Sequence, residues 1–352
     1  MTILGIETSC DETGAAVLTS TNSKIQLLSN SLATSLAKHA VTGGIIPEIA
    51  AREQVAYILP VIEEALFKGL GYSLSAQNAP KPPIDAIAVT YGPGLIGSLL
   101  VGVETAKTLS LLWNIPLIPI NHLYGHIYAN FIEHTEIELP ALSLVVSGGH
   151  TDLVLVKEHM HFEVIGGTRD DAAGEAFDKI GRILGLSYPA GPVISTLARK
   201  GDPKAFLLPR PMIGSHDFDF SFSGLKTSVF SLVRKNNWNF SDTSFAEKNQ
   251  QLLFDLCASV EHTIVDVLVK KTIKAAQQHQ VKSILMGGGV ACNEKLQTTL
   301  AQTLHNTLPE TSFFVPSKDL CTDNAAMIAA AGVFSKERIS WKDLTANPEL
   351  YY

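Results

Sequence analysis

Residues 3–18 read Ile-Leu-Gly-Ile-Glu-Thr-Ser-Cys-Asp-Glu-Thr-Gly-Ala-Ala-Val-Leu, and residues 142–156 read Leu-Ser-Leu-Val-Val-Ser-Gly-Gly-His-Thr-Asp-Leu-Val-Leu-Val. Each stretch consists of an apolar run, a turn of small and polar residues, and a second apolar run. This arrangement is typical of a β-hairpin. The two stretches therefore predict that the chain contains a similar unit twice.

The pattern that follows each hairpin supports the same interpretation, because each half later shows a strand, a glycine-rich turn, a helix and a strand. In the first half these are Ile84–Thr90, Gly92–Gly94, Ile96–Trp113 and Leu117–Ile120, and in the second they are Ser283–Met286, Gly287–Gly289, Asn293–Thr307 and Ser312–Val315. Strands that alternate with helices predict an α/β fold. We expect two similar lobes around a cleft, formed by residues 1–140 and 141–335, with a tail at 336–352 that packs on the first lobe.

Further helices are predicted from apolar periodicity, at Gly44–Gly69, Asp171–Leu184, Phe245–Gln278 and Asp323–Ser335. The apolar runs in between are of strand length, so no membrane span is expected. The amino terminus lacks the basic and apolar segments of a secretory signal. The cysteines are scattered, as in proteins of a reducing cytosol. A net charge of −7 argues against broad nonspecific binding to nucleic acid, although a local basic patch remains compatible with it.

His122 and His126 are four residues apart, so their imidazoles lie on one side of a helical turn and could share a metal ion. The sequence lacks the Glu of His-Glu-x-x-His, which argues against a zinc peptidase. A surface pair is the plain alternative. Asp323 follows the corresponding strand of the second half, so the repeat predicts that it completes a three-ligand metal site across the cleft. The alternative role for Asp323 is to cap the helix that follows it.

Other motifs are compatible with substrate binding and with ordinary structural roles. The turn Ser147–Thr151 could present backbone N–H groups to a phosphate, or could simply close a hairpin. Gly287–Gly289 and Asn293 could bind a nucleotide, but the spacing is not that of a P-loop. Acidic residues in a first helical turn usually complement the helix dipole, which explains Asp170 and Asp171 better than Asp178.

Asp11 and Glu12 lie in the first hairpin turn, where paired acids could hold a metal ion or accept a proton, or could simply be solvated. Basic residues in the second half could contact phosphates or could be solvated surface groups. They are Arg210, Lys226, Arg234 and Lys235.

Taken in order and spacing, a series of motifs resembles those of the TsaD/Gcp family, the bacterial tRNA threonylcarbamoyladenosine transferases related to the archaeal and eukaryotic Kae proteins. The motifs are Leu4–Thr13, Gly43–Glu48, Gly92–Leu95, His122–His126, Val146–Thr151, Asp170–Lys179, Phe220–Thr227 and Cys321–Asn324. The similarity spans nearly the whole chain. Two departures are Ala190, where the family often has Gly, and Cys292, which replaces a usually small residue.

The resemblance implies an actin-like, Hsp70-like ATPase (ASKHA) fold of two similar lobes with a central cleft. It implies a divalent metal ion, with iron favoured over zinc, on His122, His126 and Asp323. Asp11 and Glu12 match acidic positions linked to activity. The resemblance also implies a pocket for threonylcarbamoyl-AMP, or for ATP or ADP, lined by Val145, Val146, Ser147, Gly148, Gly149, Asp178, Gly191 and Asn293.

The activity implied by the resemblance is acyl transfer. The threonylcarbamoyl group of threonylcarbamoyl-AMP would pass to N6 of adenosine 37 in tRNAs that read codons beginning with A, forming t6A and releasing AMP. The implied partners are tRNA, a TsaB-like paralogue in a heterodimer and a TsaE-like ATPase, all in the cytoplasm. The residues alone leave two alternatives, a metallopeptidase and a noncatalytic nucleotide-binding scaffold that uses the helix Gly44–Gly69 to bind a partner.

Overall fold

The structure is a computed structural model, and it describes residues 1–22, 24–74 and 81–352. Its strands are β1 (Thr2–Glu7), β2 (Glu12–Thr21), β3 (Lys24–Thr34), β4 (Ala86–Gly92), β5 (Leu117–Asn121), β6 (Ala141–Val146), β7 (Thr151–Glu158), β8 (His161–Gly167), β9 (Ser283–Gly287) and β10 (Ser312–Phe314). Its helices are α1 (Leu36–Thr42), α2 (Pro47–Leu70), α3 (Ile96–Trp113), α4 (His122–Tyr128), α5 (Asn130–Glu133), α6 (Ala173–Ile183), α7 (Ala190–Ala198), α8 (Ser223–Lys235), α9 (Thr243–Lys248), α10 (Gln250–His279), α11 (Glu294–Thr307), α12 (Lys318–Cys321) and α13 (Ala325–Phe334).

The first compact unit consists of residues 1–137, 158–161 and 316–352. Its sheet has the strand order β3-β2-β1-β4-β5. The central strand β1 pairs antiparallel with β2 and parallel with β4, and β4 pairs parallel with β5. Leu4 and Ile6 of β1 and Val89 of β4 belong to a buried core that α2 and α3 help to form. The carboxyl ends of β1, β4 and β5 lead into the candidate site.

Helix α13 packs on this first sheet, although the repeat in the sequence predicts that residues up to 335 belong to the second lobe. The helix is rich in alanine and almost completely buried. A Cβ on Gly5 of β1 would lie 2.4 Å from the carbonyl oxygen of Ala325, and a Cβ on Gly14 of β2 would lie 3.0 Å from the Ala325 nitrogen. Small residues on both surfaces permit this close approach, which places Pro316–Tyr352 in the first unit.

The second unit consists of residues 138–157 and 162–315, and its strand order is β10-β9-β6-β7-β8. Strand β6 pairs antiparallel with β7 and parallel with β9, and β9 pairs parallel with β10. In the reverse direction this order is β8-β7-β6-β9-β10, which matches β3-β2-β1-β4-β5 of the first sheet, with β6 in the place of β1. The repeat predicted from the two hairpins is therefore confirmed in the topology of the sheets.

Several predicted elements differ from the observed ones. The edge strands β3 and β8 were not predicted, because neither has a continuous buried run. The predicted helix Phe245–Gln278 is divided at Asn249, whose φ of −119° is not helical. Helices α7 and α8 were also missed. The helix Ile96–Trp113 has the predicted bounds, and the apolar runs of the two predicted hairpins form strands β1 and β2 and strands β6 and β7.

Among the described residues, α3 is long and apolar enough by length and composition to cross a membrane. This is weak evidence for a membrane span, because core helices also meet that criterion.

The tail at 336–352 contacts the carboxyl ends of β4 and β5. The Asn347 nitrogen donates to the Tyr91 carbonyl oxygen, and the Tyr351 carbonyl oxygen accepts from the Asn121 side chain.

Candidate functional site

The histidine pair begins a short helix at the end of β5. The side chain of Asn121 accepts a hydrogen bond from the Leu123 nitrogen at 2.8 Å and so caps α4. His122 is the first residue of α4, and His126 lies one turn later. Both imidazoles are buried, with their ring centroids 4.7 Å apart. A surface role for the pair is therefore wrong.

Asp323 precedes α13, and its carboxylate faces the imidazoles of His122 and His126. Its Oδ1 lies 3.3 Å from Nε2 of His126 and 3.6 Å from Nε2 of His122. Asp323 does not cap α13, as the alternative role proposed. Its neighbour Asn324 is the cap, since Oδ1 of Asn324 accepts from the Met327 nitrogen at 3.0 Å. Gly125 helps to bring the helices together, because a Cβ there would lie 2.7 Å from Cδ1 of Ile328.

All three residues belong to the first unit, so the expected closure of the metal site across two lobes is wrong. Asp323 lies in the second half of the sequence, but the packing of α13 on β1 and β2 returns it to the first sheet. The three-residue cluster itself is present, and one ligand atom of each residue lies within 4.8 Å of the other two.

The cluster fits a metal ion by two criteria. Two ligands ~2.1 Å from an ion at a tetrahedral angle are ~3.4 Å apart, which is close to the observed separations from Asp323. In addition, both ring nitrogens of the fully buried His126 lack a hydrogen-bond partner among the described residues, and Nε2 faces Asp323 without hydrogen-bond geometry. Buried polar atoms normally have partners, so a metal ion would explain the orphaned Nε2. Three protein ligands would leave coordination positions open.

A second layer of polar groups surrounds His122. Its Nδ1 lies 3.1 Å from Oε2 of Glu7 and 3.1 Å from Oγ of Ser9. Burial opposes protonation of His122, but the carboxylates of Glu7 and Asp323 outweigh it and raise the pKa of the imidazole to about 9. Without a metal ion, His122 therefore carries a proton at neutral pH.

Asp11 lies in the turn between β1 and β2, as the sequence predicts, and Glu12 is the first residue of β2. Burial, followed by the charges of Asp323 and Asp11, raises the pKa of Glu12 well above its usual value. The turn that carries both acids is held by Gln54 of α2, whose amide donates to the carbonyl oxygens of Cys10 and Glu12 at 3.1 and 2.8 Å. Gln54 was missed in the sequence, where the only sign is a polar residue on the buried face of α2.

The predicted phosphate-binding turn lies in the second unit. Val145 and Val146 end β6, and Oγ of Ser147 accepts from the nitrogens of Gly149 and His150 at 3.3 and 3.1 Å. Gly148 and Gly149 are exposed, have no positive φ, and leave open space where a Cβ would be. Neither the backbone conformation nor packing among the described residues requires glycine at these two positions.

Asp178 and Gly191 lie together in the same unit. Oδ1 of Asp178 accepts from the Ala190 nitrogen at 2.7 Å, and the Gly191 nitrogen also donates to this carboxylate. Burial raises the pKa of Asp178, and these two backbone hydrogen bonds partly offset that effect. Asp178 thus holds the first turn of α7, so any contact with a ligand would be an additional role.

Asn293 is fully engaged within the second unit. Its Oδ1 caps α11 by accepting from the Leu296 nitrogen at 2.8 Å. Its Nδ2 donates to Oγ of Ser195 and Oε1 of Glu261, each at 2.8 Å. Direct recognition of a ribose or base by Asn293 would require an exchange of these contacts. A cavity of about 340 Å³ adjoins this cluster, lined by Ser195, Glu261 and residues of α7, α10 and α11.

The basic and acidic residues around α8 differ in their contacts. Arg210 pairs with Asp266 at 2.6 Å, and Lys226 pairs with Asp171 at 3.2 Å. Arg234 and Lys235 are exposed, and neither pairs with an acid within the described ranges.

Asp170 and Asp171 precede α6 rather than lying in its first turn. The Asp170 carboxylate accepts from the nitrogens of Phe222 and Ser223 at 2.8 and 3.1 Å, which anchors the start of α8. The acidic pair therefore does not complement the dipole of α6 as expected. Asp170 instead links the motif Asp170–Lys179 to the motif Phe220–Thr227.

Comparison with solved structures defines the class of fold. A component A of (R)-2-hydroxyglutaryl-CoA dehydratase from Acidaminococcus fermentans aligns with a TM-score of 0.50 at 16% identity, covering 98% of this chain and 99% of that one. A full-length HypF aligns with a TM-score of 0.57 at 12% identity, covering 94% of this chain and 54% of that one. These proteins have actin-like ATPase folds, and the repeated sheet order places this chain in that class.

Comparison of sequences defines the family. The profile of TsaD, tRNA N6-adenosine threonylcarbamoyltransferase, matches residues 26–330. The enzyme of that name from Listeria monocytogenes is 48% identical over 99% of this chain and 96% of its own length. The one from Bacillus subtilis is 48% identical over 96% of this chain and 91% of its own length. The chain belongs to the TsaD family, a family of transferases.

Proposed function

We propose that this chain transfers the threonylcarbamoyl group of threonylcarbamoyl-AMP to N6 of adenosine 37 in tRNAs that read codons beginning with A, forming t6A and releasing AMP. The observation that carries this proposal is the 48% identity over 99% of the chain to a curated tRNA N6-adenosine threonylcarbamoyltransferase. The buried cluster of His122, His126 and Asp323 adds a site suited to an acyl-transfer reaction. A peptidase or a noncatalytic scaffold has no comparable support.

In the proposed step, N6 of the adenosine forms a bond to the carbamoyl carbon. The bond from that carbon to the phosphate oxygen of AMP breaks, AMP leaves, and the N6 proton passes to a base on the enzyme. The exocyclic amine is a weak nucleophile, so the enzyme must position it and accept its proton. We assign the acceptor to Glu12 or Asp11. Because the surroundings of Glu12 raise its pKa, its ionised form would be a stronger base than an ordinary carboxylate.

The ion proposed for His122, His126 and Asp323 is divalent, with iron favoured over zinc. Imidazole and carboxylate ligands suit both metals. When bound, such an ion supplies a Lewis acid for an oxygen of the threonylcarbamoyl group. The protein contributes the burial of both imidazoles and the convergence of their Nε2 atoms with Oδ1 of Asp323.

We assign the nucleotide part of threonylcarbamoyl-AMP to the second unit, where ATP or ADP would bind as well. The open space at Gly148 and Gly149 allows a phosphate to approach the backbone closely. The Asp178 carboxylate is an acceptor suited to a ribose hydroxyl. The other assigned residues are Val145, Val146, Ser147, Gly191 and Asn293.

The tRNA is the macromolecular substrate, and we propose that Arg234 and Lys235 contact its phosphates, because both are exposed. With a net charge of −7, the chain alone binds tRNA weakly, and partners supply further basic surface. The proposed setting is the cytoplasm.

The proposed protein partners are a TsaB-like paralogue in a heterodimer and a TsaE-like ATPase. Helix α2 offers a surface for the paralogue, because Val55, Leu59 and Phe67 are 67, 55 and 62% exposed. Exposed apolar residues on one helix are typical of a surface that binds another protein.

The test combines the purified chain, its TsaB-like and TsaE-like partners, a tRNA transcript and isotopically labelled threonylcarbamoyl-AMP. Labelled t6A is measured by mass spectrometry of the digested tRNA, and a transcript with guanosine at position 37 is the control. We expect labelled t6A with the wild-type chain and a loss of at least ~100-fold with His126→Ala. Absence of t6A with the wild-type chain would contradict the transferase assignment. Equal yields from His126→Ala and wild type would instead make the chain a scaffold.

A further inference from the structure

Glu7 is a buried acid to which the proposed reaction gives no role. It ends β1, and only 1% of its surface is exposed. Each of its carboxylate oxygens is engaged. Oε1 accepts from the Ser9 nitrogen at 2.5 Å, and Oε2 accepts from Oγ1 of Thr90 at 2.5 Å and lies 3.1 Å from Nδ1 of His122. Burial of a carboxylate is unfavourable by several kcal/mol unless partners compensate, so these contacts are what keep Glu7 in place.

The contact with Glu7 decides which nitrogen of His122 can bind a metal ion. An ionised carboxylate only accepts hydrogen bonds, so the proton of the neutral imidazole resides on Nδ1. Nε2 then keeps its lone pair, and it is Nε2 that lies 3.6 Å from Oδ1 of Asp323. A carboxylate on the outer nitrogen of a metal-binding histidine fixes both its tautomer and its orientation.

We propose that Glu7 is the positioning residue of the metal centre: it fixes the tautomer and ring orientation of His122, while Thr90 and Ser9 fix Glu7. The network joins β1, β4 and α4, which are distant in sequence and adjacent in the first unit. This inference rests on the proposed metal site. It differs from a simple buried ion pair, which would support the fold but leave metal affinity unchanged.

The test measures the affinity of the purified full-length chain for Zn²⁺ by competition with a chromophoric chelator. Glu7→Gln keeps the size of the side chain but allows an amide N–H to face Nδ1, which favours the tautomer protonated on Nε2. We expect Zn²⁺ affinity to fall by about 10–100-fold. Ser29→Ala is the matched control, because Ser29 is buried in the same unit and donates to the Ala65 carbonyl oxygen at 2.7 Å, away from the site. Its affinity should stay within about threefold of wild type.

The outcomes separate this proposal from the proposed metal site. If the wild-type chain does not bind Zn²⁺, the metal site fails and this proposal fails with it. If wild type binds and Glu7→Gln binds within threefold as tightly, only the positioning role of Glu7 is overturned. Should Glu7→Gln not fold, Thr90→Val removes one hydrogen bond to Glu7 and is expected to weaken Zn²⁺ binding by roughly 3–10-fold. An unchanged affinity in Thr90→Val would then overturn the proposal.

Discussion

Replacement of His126 with leucine should remove metal binding without destabilising the metal-free protein. His126 is fully buried, and both of its ring nitrogens lack hydrogen-bond partners among the described residues. A buried polar group left without a partner costs about 1–3 kcal/mol. Leucine has a similar volume and no polar atom, so the free energy of unfolding of metal-free His126→Leu should equal that of wild type or exceed it by up to ~2 kcal/mol.

The metal-bound state should show the opposite effect. At a free metal concentration of 100 times Kd, binding to the folded state adds about 2.7 kcal/mol to the stability of wild type. His126→Leu should gain little from the same addition, because one of the three ligands is absent. The assay is urea denaturation followed by circular dichroism, with and without Zn²⁺.

His39 provides the matched control. It is also fully buried in the first unit, but its Nε2 lies 3.0 Å from Oγ of Ser35 and its Nδ1 accepts from the Ile46 nitrogen at 3.3 Å. His39→Leu leaves the Ile46 N–H without its acceptor and removes one contact of Ser35 Oγ, which still donates to the Asp11 carbonyl oxygen. It should lose about 1–3 kcal/mol of stability with or without metal. Equal destabilisation of the metal-free protein by both substitutions would refute the view that the His126 imidazole is kept for a metal ion.

Three other predictions concern pH, helix capping and the glycine turn. Because the pKa of His122 is raised to about 9, a metal ion that binds His122 at neutral pH displaces a proton. Chelator competition should therefore show that the affinity for the metal ion falls about tenfold per pH unit from pH 8 to pH 6. An affinity that does not change with pH would contradict this. Asn324→Ala should lower the free energy of unfolding by at least ~0.5–2 kcal/mol in urea denaturation, through loss of the α13 cap and of the Nδ2 hydrogen bonds to the Leu320 and Thr322 carbonyl oxygens. An unchanged stability would argue against the cap. The added methyl of Gly148→Ala meets open space, so this variant should keep its stability within ~0.5 kcal/mol of wild type but form less t6A. In Gly174→Ala the Cβ would lie 2.5 Å from the Ser147 carbonyl oxygen, so both stability and t6A formation should fall. Full transfer activity in Gly148→Ala would exclude the turn from substrate binding.

The repeated fold was predictable because it is written locally in the sequence. The hairpins at 3–18 and 142–156 are visible as apolar runs around a polar turn, and the strand-helix-strand pattern that follows each is equally local. The edge strands β3 and β8 were missed because their residues alternate between buried and exposed without a strong apolar run. Their pairing with the rest of the sheet, rather than their own composition, makes them strands.

The members of the metal cluster were predictable, but its location was not. The repeat of strand ends selected His122, His126 and Asp323 correctly as a group. It could not show that Gly5 and Gly14 let α13 pack closely on β1 and β2, which places Asp323 beside the first sheet. That arrangement depends on contacts between residues more than 300 positions apart, which no periodic pattern contains.

The supporting contacts were invisible in the sequence for the same reason. Glu7 contacts a histidine 115 residues away, and Asn293 donates to a carboxylate 32 residues earlier. Glu7 reads in the sequence as the polar end of an apolar strand, and Asn293 reads as the residue after a glycine-rich turn. Only the folded chain shows that Glu7 contacts Nδ1 of His122 and that Asn293 is occupied as a helix cap.

The central claim, that the cluster of His122, His126 and Asp323 is the metal centre of a TsaD-family transferase, is tested most directly by anomalous diffraction. Crystals of the protein purified without chelators and soaked with a nonhydrolysable threonylcarbamoyl-AMP analogue would be measured above and below the iron and zinc absorption edges. We predict one strong anomalous peak about 2.1 Å from both Nε2 atoms and from an oxygen of Asp323, present above one of these edges and lost below it. A metal-replete crystal whose anomalous peak lies elsewhere, with Nε2 of His126 still unliganded, would contradict the account.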